Sequence, residues 1–213
     1  MVFYFTTGEG YMIYMGADKY ENEDLIKYGI PEDMWFHVDD LSSAHVYLRL
    51  QKNQRLEDVS EATIMECAQL VKANSIEGCK LKECYVVYTR WRNLKKTPAM
   101  EVGQVSYHDQ SNVKRLKVEK DNTVVNRINR TKEEKFPDLA ALQEARAKEF
   151  RAEQKAVKQS QEQASKAARR EREEQAKLRS YASVMVEDKM KSNADMPASA
   201  DDSAARAFED DFF

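Results

Sequence analysis

The chain has 213 residues, of which 42% are hydrophobic and 33% charged, with a formal net charge of -3. That balance excludes a uniformly basic, histone-like or ribosomal-tail protein, so any basic site has to be local. Three cysteines without CxxC spacing exclude a disulfide scaffold or a cysteine zinc site, and no apolar run approaches the ~20 residues a membrane span requires.

The opening residues, Met1 to Gly10, carry no basic flank before an apolar run and read as a first strand rather than a signal peptide. Together with the cysteine usage this predicts the cytosol or nucleus. Tyr11 to Met15, closed by Gly16, is a second strand, and 22–28 reads as a short helix ended by Gly29 and Pro31. Met34 to Val38 and His45 to Leu50 form two neighbouring strands around a turn at Asp39-Asp40-Leu41-Ser42-Ser43. Ser60 to Ala73 is an amphipathic helix, with Ile64, Cys67, Ala68 and Val71 on one face. Three β-rich runs follow at 80–89, 103–107 and 113–118. The predicted fold is α+β: a mostly antiparallel sheet with packed helices, here expected on one face.

Residues 138–179 contain no Gly or Pro and are dominated by helix formers, so a long charged helix is predicted over 138–181. Phe150, Val157, Ala164, Glu171 and Leu178 recur every seven residues, but the companion positions Glu153, Ser160, Ala167 and Glu174 are polar or small. A solvated single helix and a coiled-coil dimer therefore both fit the pattern. Residues 182–213 hold 3 Lys+Arg and 8 Asp+Glu, which predicts a disordered acidic tail, with the aromatic-acidic Phe208 to Phe213 as a short docking motif. The predicted organisation is a domain at 1–137, the helix and the tail.

Charge divides unevenly within the domain. Residues 1–79 hold 6 basic and 14 acidic side chains, net -8, whereas 80–135 hold 14 and 7, net +7. A local basic surface attracts polyanions over a Debye length of about 8 Å even on an anionic protein.

Three constellations could use that field. Alternation along the paired strands places Trp35, His37, His45, Tyr47 and Arg49 on one face, a set suited to stacking bases and holding phosphate if it is exposed; buried, the same residues would be an ordinary half-covered sheet. Arg90, Trp91, Arg92, Asn93, Lys95 and Lys96 form a basic loop around a tryptophan, able to neutralise several phosphates. Lys114, Arg115, Lys117 and Lys120 lie on or beside the last of these strands, either as phosphate contacts or as a charged guard on a sheet edge.

Catalytic chemistry has little to stand on. His37 and His45 flank Asp39 and Asp40, yet their spacing matches no zinc signature, and there is no GxSxG, P-loop or GxGxxG. Neither a metal nor a cofactor is predicted, and the reading is non-enzymatic.

The segments Gly16 to Leu25, Glu32 to Val38, Ser43 to Arg49, Val87 to Thr89 and Asn93 to Lys96, with Gly103, resemble in order and spacing the NFACT-R domain, over roughly residues 1 to 120. With the long helix, the chain is similar to the stand-alone eukaryotic form of that domain. The resemblance implies an α/β fold, RNA binding without catalysis, and kinship to ribosome quality-control proteins that engage tRNA and the large ribosomal subunit. The matching positions are Asn22, Trp35, His37, His45, Arg49, Thr89, Asn93 and Lys95. Longer relatives carry Arg where Ala17 stands and commonly Gln where Glu21 stands, which weakens a phosphate grip at the first turn. Animal relatives imply DNA as an alternative ligand in a membrane-associated sensor. The sequence thus predicts RNA, as tRNA or rRNA, as the main partner, with DNA or a protein docked through the long helix as alternatives.

Overall fold

The computed structural model describes residues 1–180. Two compact units divide it, Met1–Ala152 and the chain from Glu153 on. The first is built on nine strands, β1 (Val2–Thr6), β2 (Met12–Gly16), β3 (Asp33–Val38), β4 (Val46–Arg49), β5 (Glu83–Arg90), β6 (Leu94–Lys95), β7 (Ser106–Tyr107), β8 (Lys114–Glu119) and β9 (Glu133–Lys135). Seven of them make one sheet in the order β8-β5-β3-β4-β2-β1-β9, antiparallel at every pairing. The fold is α+β, as the sequence predicts.

Side-chain alternation divides the sheet into two buried faces. Ile13, Met34, Phe36, Val46, Leu48 and Val86 point into the larger core. There they meet α2 (Glu61–Ala73) and α3 (Asn122–Asn129). Ser60 caps α2 by accepting a hydrogen bond from Thr63 N, which satisfies a backbone donor that the first turn leaves unpaired.

The opposite face is covered too, which corrects the expectation of helices on one face only. Leu25 of α1 (Lys19–Lys27) packs with Val2, Tyr14, Trp35, Tyr47 and Val87, and Leu94, Val105, Tyr107 and Leu139 close over them. The predicted strand at 103–107 is reduced to Ser106 and Tyr107, which pair with β6 outside the main sheet. The cause is local: Gly103 sits at φ +83°, a left-handed conformation that breaks strand geometry and lets the loop turn back over the sheet. α1 starts at Lys19, three residues before the predicted start, because the Asp18 carboxylate accepts from the Tyr20 and Glu21 amides.

The long helix α4 runs Leu139–Arg179. Its first turns belong to the Met1–Ala152 unit. Arg146 Nε donates to Glu32 (2.9 Å), Gln143 Nε2 donates to the Lys27 and Gly29 carbonyls, and Lys52 pairs with Glu149. Beyond Glu153 every described residue of α4 is exposed. Among the described residues no helix is long and apolar enough to cross a membrane. The predicted acidic tail lies outside the described residues.

Candidate nucleic-acid interface

The face predicted to stack bases is an interior layer. Tyr4, Tyr14, Tyr47, Trp35 and Thr89 stand in register across β1, β2, β4, β3 and β5. The Tyr14 and Tyr47 rings stack at 5.1 Å, and Trp35 and Tyr47 are 1% and 0% exposed. No base reaches them, because the segment 94–107 and α1 fill the space above.

Trp35, His37, His45 and Arg49 are spent on internal partners, while the Tyr47 hydroxyl is buried without one. Trp35 Nε1 donates to His45 Nδ1 at 2.9 Å, and His37 Nδ1 donates to the Val38 carbonyl at 2.7 Å. Burial, with His37 close by, lowers the pKa of His45 to about 3. Burial also lowers that of His37, against the opposing pull of its backbone hydrogen bonds. Both rings are neutral at pH 7, so neither attracts phosphate. Arg49 donates through Nε to Asp33 (3.0 Å) and through Nη2 to the Tyr14 hydroxyl (3.1 Å). Burial alone would lower its pKa, but Tyr14 and Asp33 outweigh that and raise it. Trp35, His45 and Tyr47 are therefore corrected from an exposed binding face to buried packing, and His37 and Arg49, partly buried, are corrected to internal partners of that packing. Among the described residues no cluster of three or more His, Cys, Asp or Glu could hold a metal ion.

The basic loop after β5 divides into anchors and free ends. Asn93, a buried residue, donates to Thr89 Oγ1 (3.0 Å) and to the Asp109 carbonyl (2.8 Å), and accepts from the Asp109 amide (2.9 Å). Thr89 in turn donates to the Asn112 carbonyl. These bonds fasten residues 108–112 beside the end of β5. Trp91 Nε1 donates to the Ile26 carbonyl at 2.7 Å, tying the loop to α1. Lys96 donates to Glu23 (2.8 Å) and to the Glu101 and Gln104 carbonyls, so its charge holds the cover in place. Lys95 is exposed and stands apart.

Arg90, Arg92 and Lys114 remain directed toward one open groove of about 510 Å³, joined there by Arg55 and by Thr89, Asn93, Ser111 and Asn112. One acid, Glu57, lines it beside these four cations. Arg90 is steadied by donating to the Gln54 carbonyl (3.2 Å), and the Arg92 guanidinium lies 4.8 Å from the Phe150 ring centroid. Such supports pre-orient a guanidinium and lessen the side-chain entropy lost when it meets a phosphate. Arg115 does not join the groove: it pairs with Asp39 (2.7 Å) and lies 4.0 Å over the Tyr85 ring. Lys117 pairs with Glu83.

Four predicted residues thus meet, namely Arg90, Arg92, Asn93 and Lys114. Arg55, Ser111 and Asn112 escaped the sequence reading. Arg55 lies in the acidic half, between β4 and α2, and only the pairing of β5 beside β3 and β8 brings these segments together.

The family profile described as NFACT protein RNA binding domain matches residues 1–109. Coiled-coil domain-containing protein 25 of Mus musculus is 56% identical over 92% of this chain and 96% of its own length. The Bos taurus protein of that name is 54% identical over the same shares. The C-terminal part of the fibronectin/fibrinogen-binding protein from Streptococcus suis superposes with a TM-score of 0.50 at 21% identity, covering 59% of this chain and 48% of that one, a likeness of fold. A profile match over half the sequence, and relatives more than half identical along nearly all of it, lead to one conclusion: the chain belongs to the coiled-coil domain-containing protein 25 family.

Proposed function

We propose that this protein is a non-enzymatic RNA-binding protein whose groove between Arg55, Arg90, Arg92 and Lys114 takes the phosphate backbone of structured RNA, tRNA or rRNA, in a ribosome-associated role. The observation that carries this reading is the convergence of those four cations from separate chain segments around one open groove. Ser111 and Asn112 line the same groove, where the Asp109 carboxylate orients them by accepting from the Ser111 hydroxyl and the Asn112 amide. The RNA-binding description of the matching domain supports the same ligand class.

Binding of the full chain to tRNA across a salt series tests it. Arg55→Gln, Arg92→Gln and Lys114→Gln together should weaken binding at least tenfold and reduce the slope of log K against log salt by about 2, since each phosphate contact contributes roughly 0.7 to 0.9. An unchanged slope would remove the groove from the interface. Duplex DNA bound as tightly as tRNA would make DNA the ligand.

A second reading, a protein adaptor, draws on the exposure of Val157 and Leu178 on α4. It predicts that a chain without the exposed part of α4, ending at Ala152, loses both RNA and a protein partner, whereas retained RNA affinity favours the first reading.

A further inference from the structure

A second recess, of about 490 Å³, adjoins the phosphate groove and shares Arg92 with it. Its apolar lining is Ile26, Trp91 and Leu94. Glu23 and Lys96 also line it, but they are paired with each other at 2.8 Å, which leaves little net field on that wall. Asp24, Lys27 and His108 supply polar groups to its lining.

Trp91 is fixed in this recess. Its Nε1 is held by the Ile26 carbonyl at 2.7 Å. On the same side of the ring Gly29 approaches so closely that a Cβ there would stand 2.2 Å from Nε1. The indole cannot retreat toward α1, yet it remains partly exposed to the recess. It is a platform whose orientation is set before any ligand arrives, so stacking on it costs little side-chain entropy. Trp35, by contrast, is 1% exposed and out of reach.

A ligand that fits has a flat, uncharged, hydrogen-bonding body joined to an anion that rests a short distance away beside Arg92. That is the chemistry of a nucleobase on its phosphate. We propose that the recess is a base-stacking subsite in which Trp91 receives one unpaired base of the RNA strand whose backbone occupies the adjoining groove. The inference rests on the RNA-binding reading and adds a requirement for at least one unstacked base, so loops and single strands are preferred over fully paired duplex.

The chain has two tryptophans, and only Trp91 can meet a ligand, so its emission reports the contact. The full chain is titrated with oligoadenylate RNA and with an abasic ribose-phosphate oligomer of equal length. Both are expected to bind, and oligoadenylate alone is expected to quench emission. Trp91→Leu should lower oligoadenylate affinity about five- to a hundredfold, as the loss of one base–aromatic stack implies, with the abasic oligomer unaffected and Trp91→Phe retaining most of the affinity. Oligoadenylate binding without quenching, or equal quenching by the abasic oligomer, would overturn the subsite while leaving the phosphate groove standing. Binding of neither oligomer would overturn both. Should Trp91→Leu fail to fold, the comparison of the two oligomers on the unaltered chain decides the matter.

Discussion

His45 shows how one residue type changes meaning with burial. Its ordinary pKa near 6.5 is lowered to about 3 in the folded chain, so between those values the unfolded state binds more protons. Stability is therefore complete above pH 6.5 and lost as the pH falls toward 3. Urea unfolding at pH 7 and pH 5 should differ by about 2 kcal/mol from this group alone. His45→Asn, which keeps an acceptor for the Trp35 N–H, should remove most of that difference. Gly29 makes a second point: its Cβ would meet the Trp91 ring at 2.2 Å, and the ring could move away only by giving up the hydrogen bond from its Nε1 to the Ile26 carbonyl. Gly29→Ala should cost about 1–3 kcal/mol in urea denaturation, in the range of overpacking. Alternation in the sequence correctly placed Trp35, His37, His45, Tyr47 and Arg49 on a common face. It was silent on whether anything covers that face, because beside α1 the cover is residues 94–107, remote in sequence and itself nearly devoid of regular structure.

Elements with a cap and a period were legible, and those defined by a distant partner were not. α2 announces itself through Ser60 and its apolar stripe, and β3 and β5 through runs of β-branched and aromatic residues. α3 and β9 went unread, since α3 is eight residues long and three-residue β9 is composed of Glu133, Glu134 and Lys135, whose strand geometry comes from pairing with β1. The first turns of α4 likewise look like any charged helix until Arg146 is seen 9% exposed against Glu32. Removing one member of a nearly buried pair leaves the other desolvated. Arg146→Met should thus destabilise by about 2–4 kcal/mol, and the double variant with Glu32→Gln by clearly less, as a double-mutant cycle in urea would measure.

At the scale of the whole molecule, the compact unit ends at Ala152 and includes Leu139, Gln143, Arg146 and Phe150 of α4. A chain ending at 137 should therefore melt at least 5 °C below one ending at 152, a difference of a few kcal/mol at about 2–8 °C per kcal/mol for a domain of this size. Equal melting temperatures would show that the helix adds nothing to the unit. Arg92 links these scales, since it touches Phe150 and lines both recesses. The shorter chain should accordingly lose RNA affinity as well as stability.

The two outer strands of the sheet carry a further consequence. β8 presents Lys114, Arg115, Lys117 and Glu119, and β9 presents Glu133, Glu134 and Lys135, along the rows where the sheet has no neighbouring strand among the described residues. Open backbone donors and acceptors on such edges invite a strand from another molecule, and the charges discourage it. Replacing Lys114, Arg115 and Lys117 by threonine should leave the melting temperature nearly unchanged and produce concentration-dependent turbidity. The cations of β8 then keep molecules apart, and Lys114 among them also lines the groove.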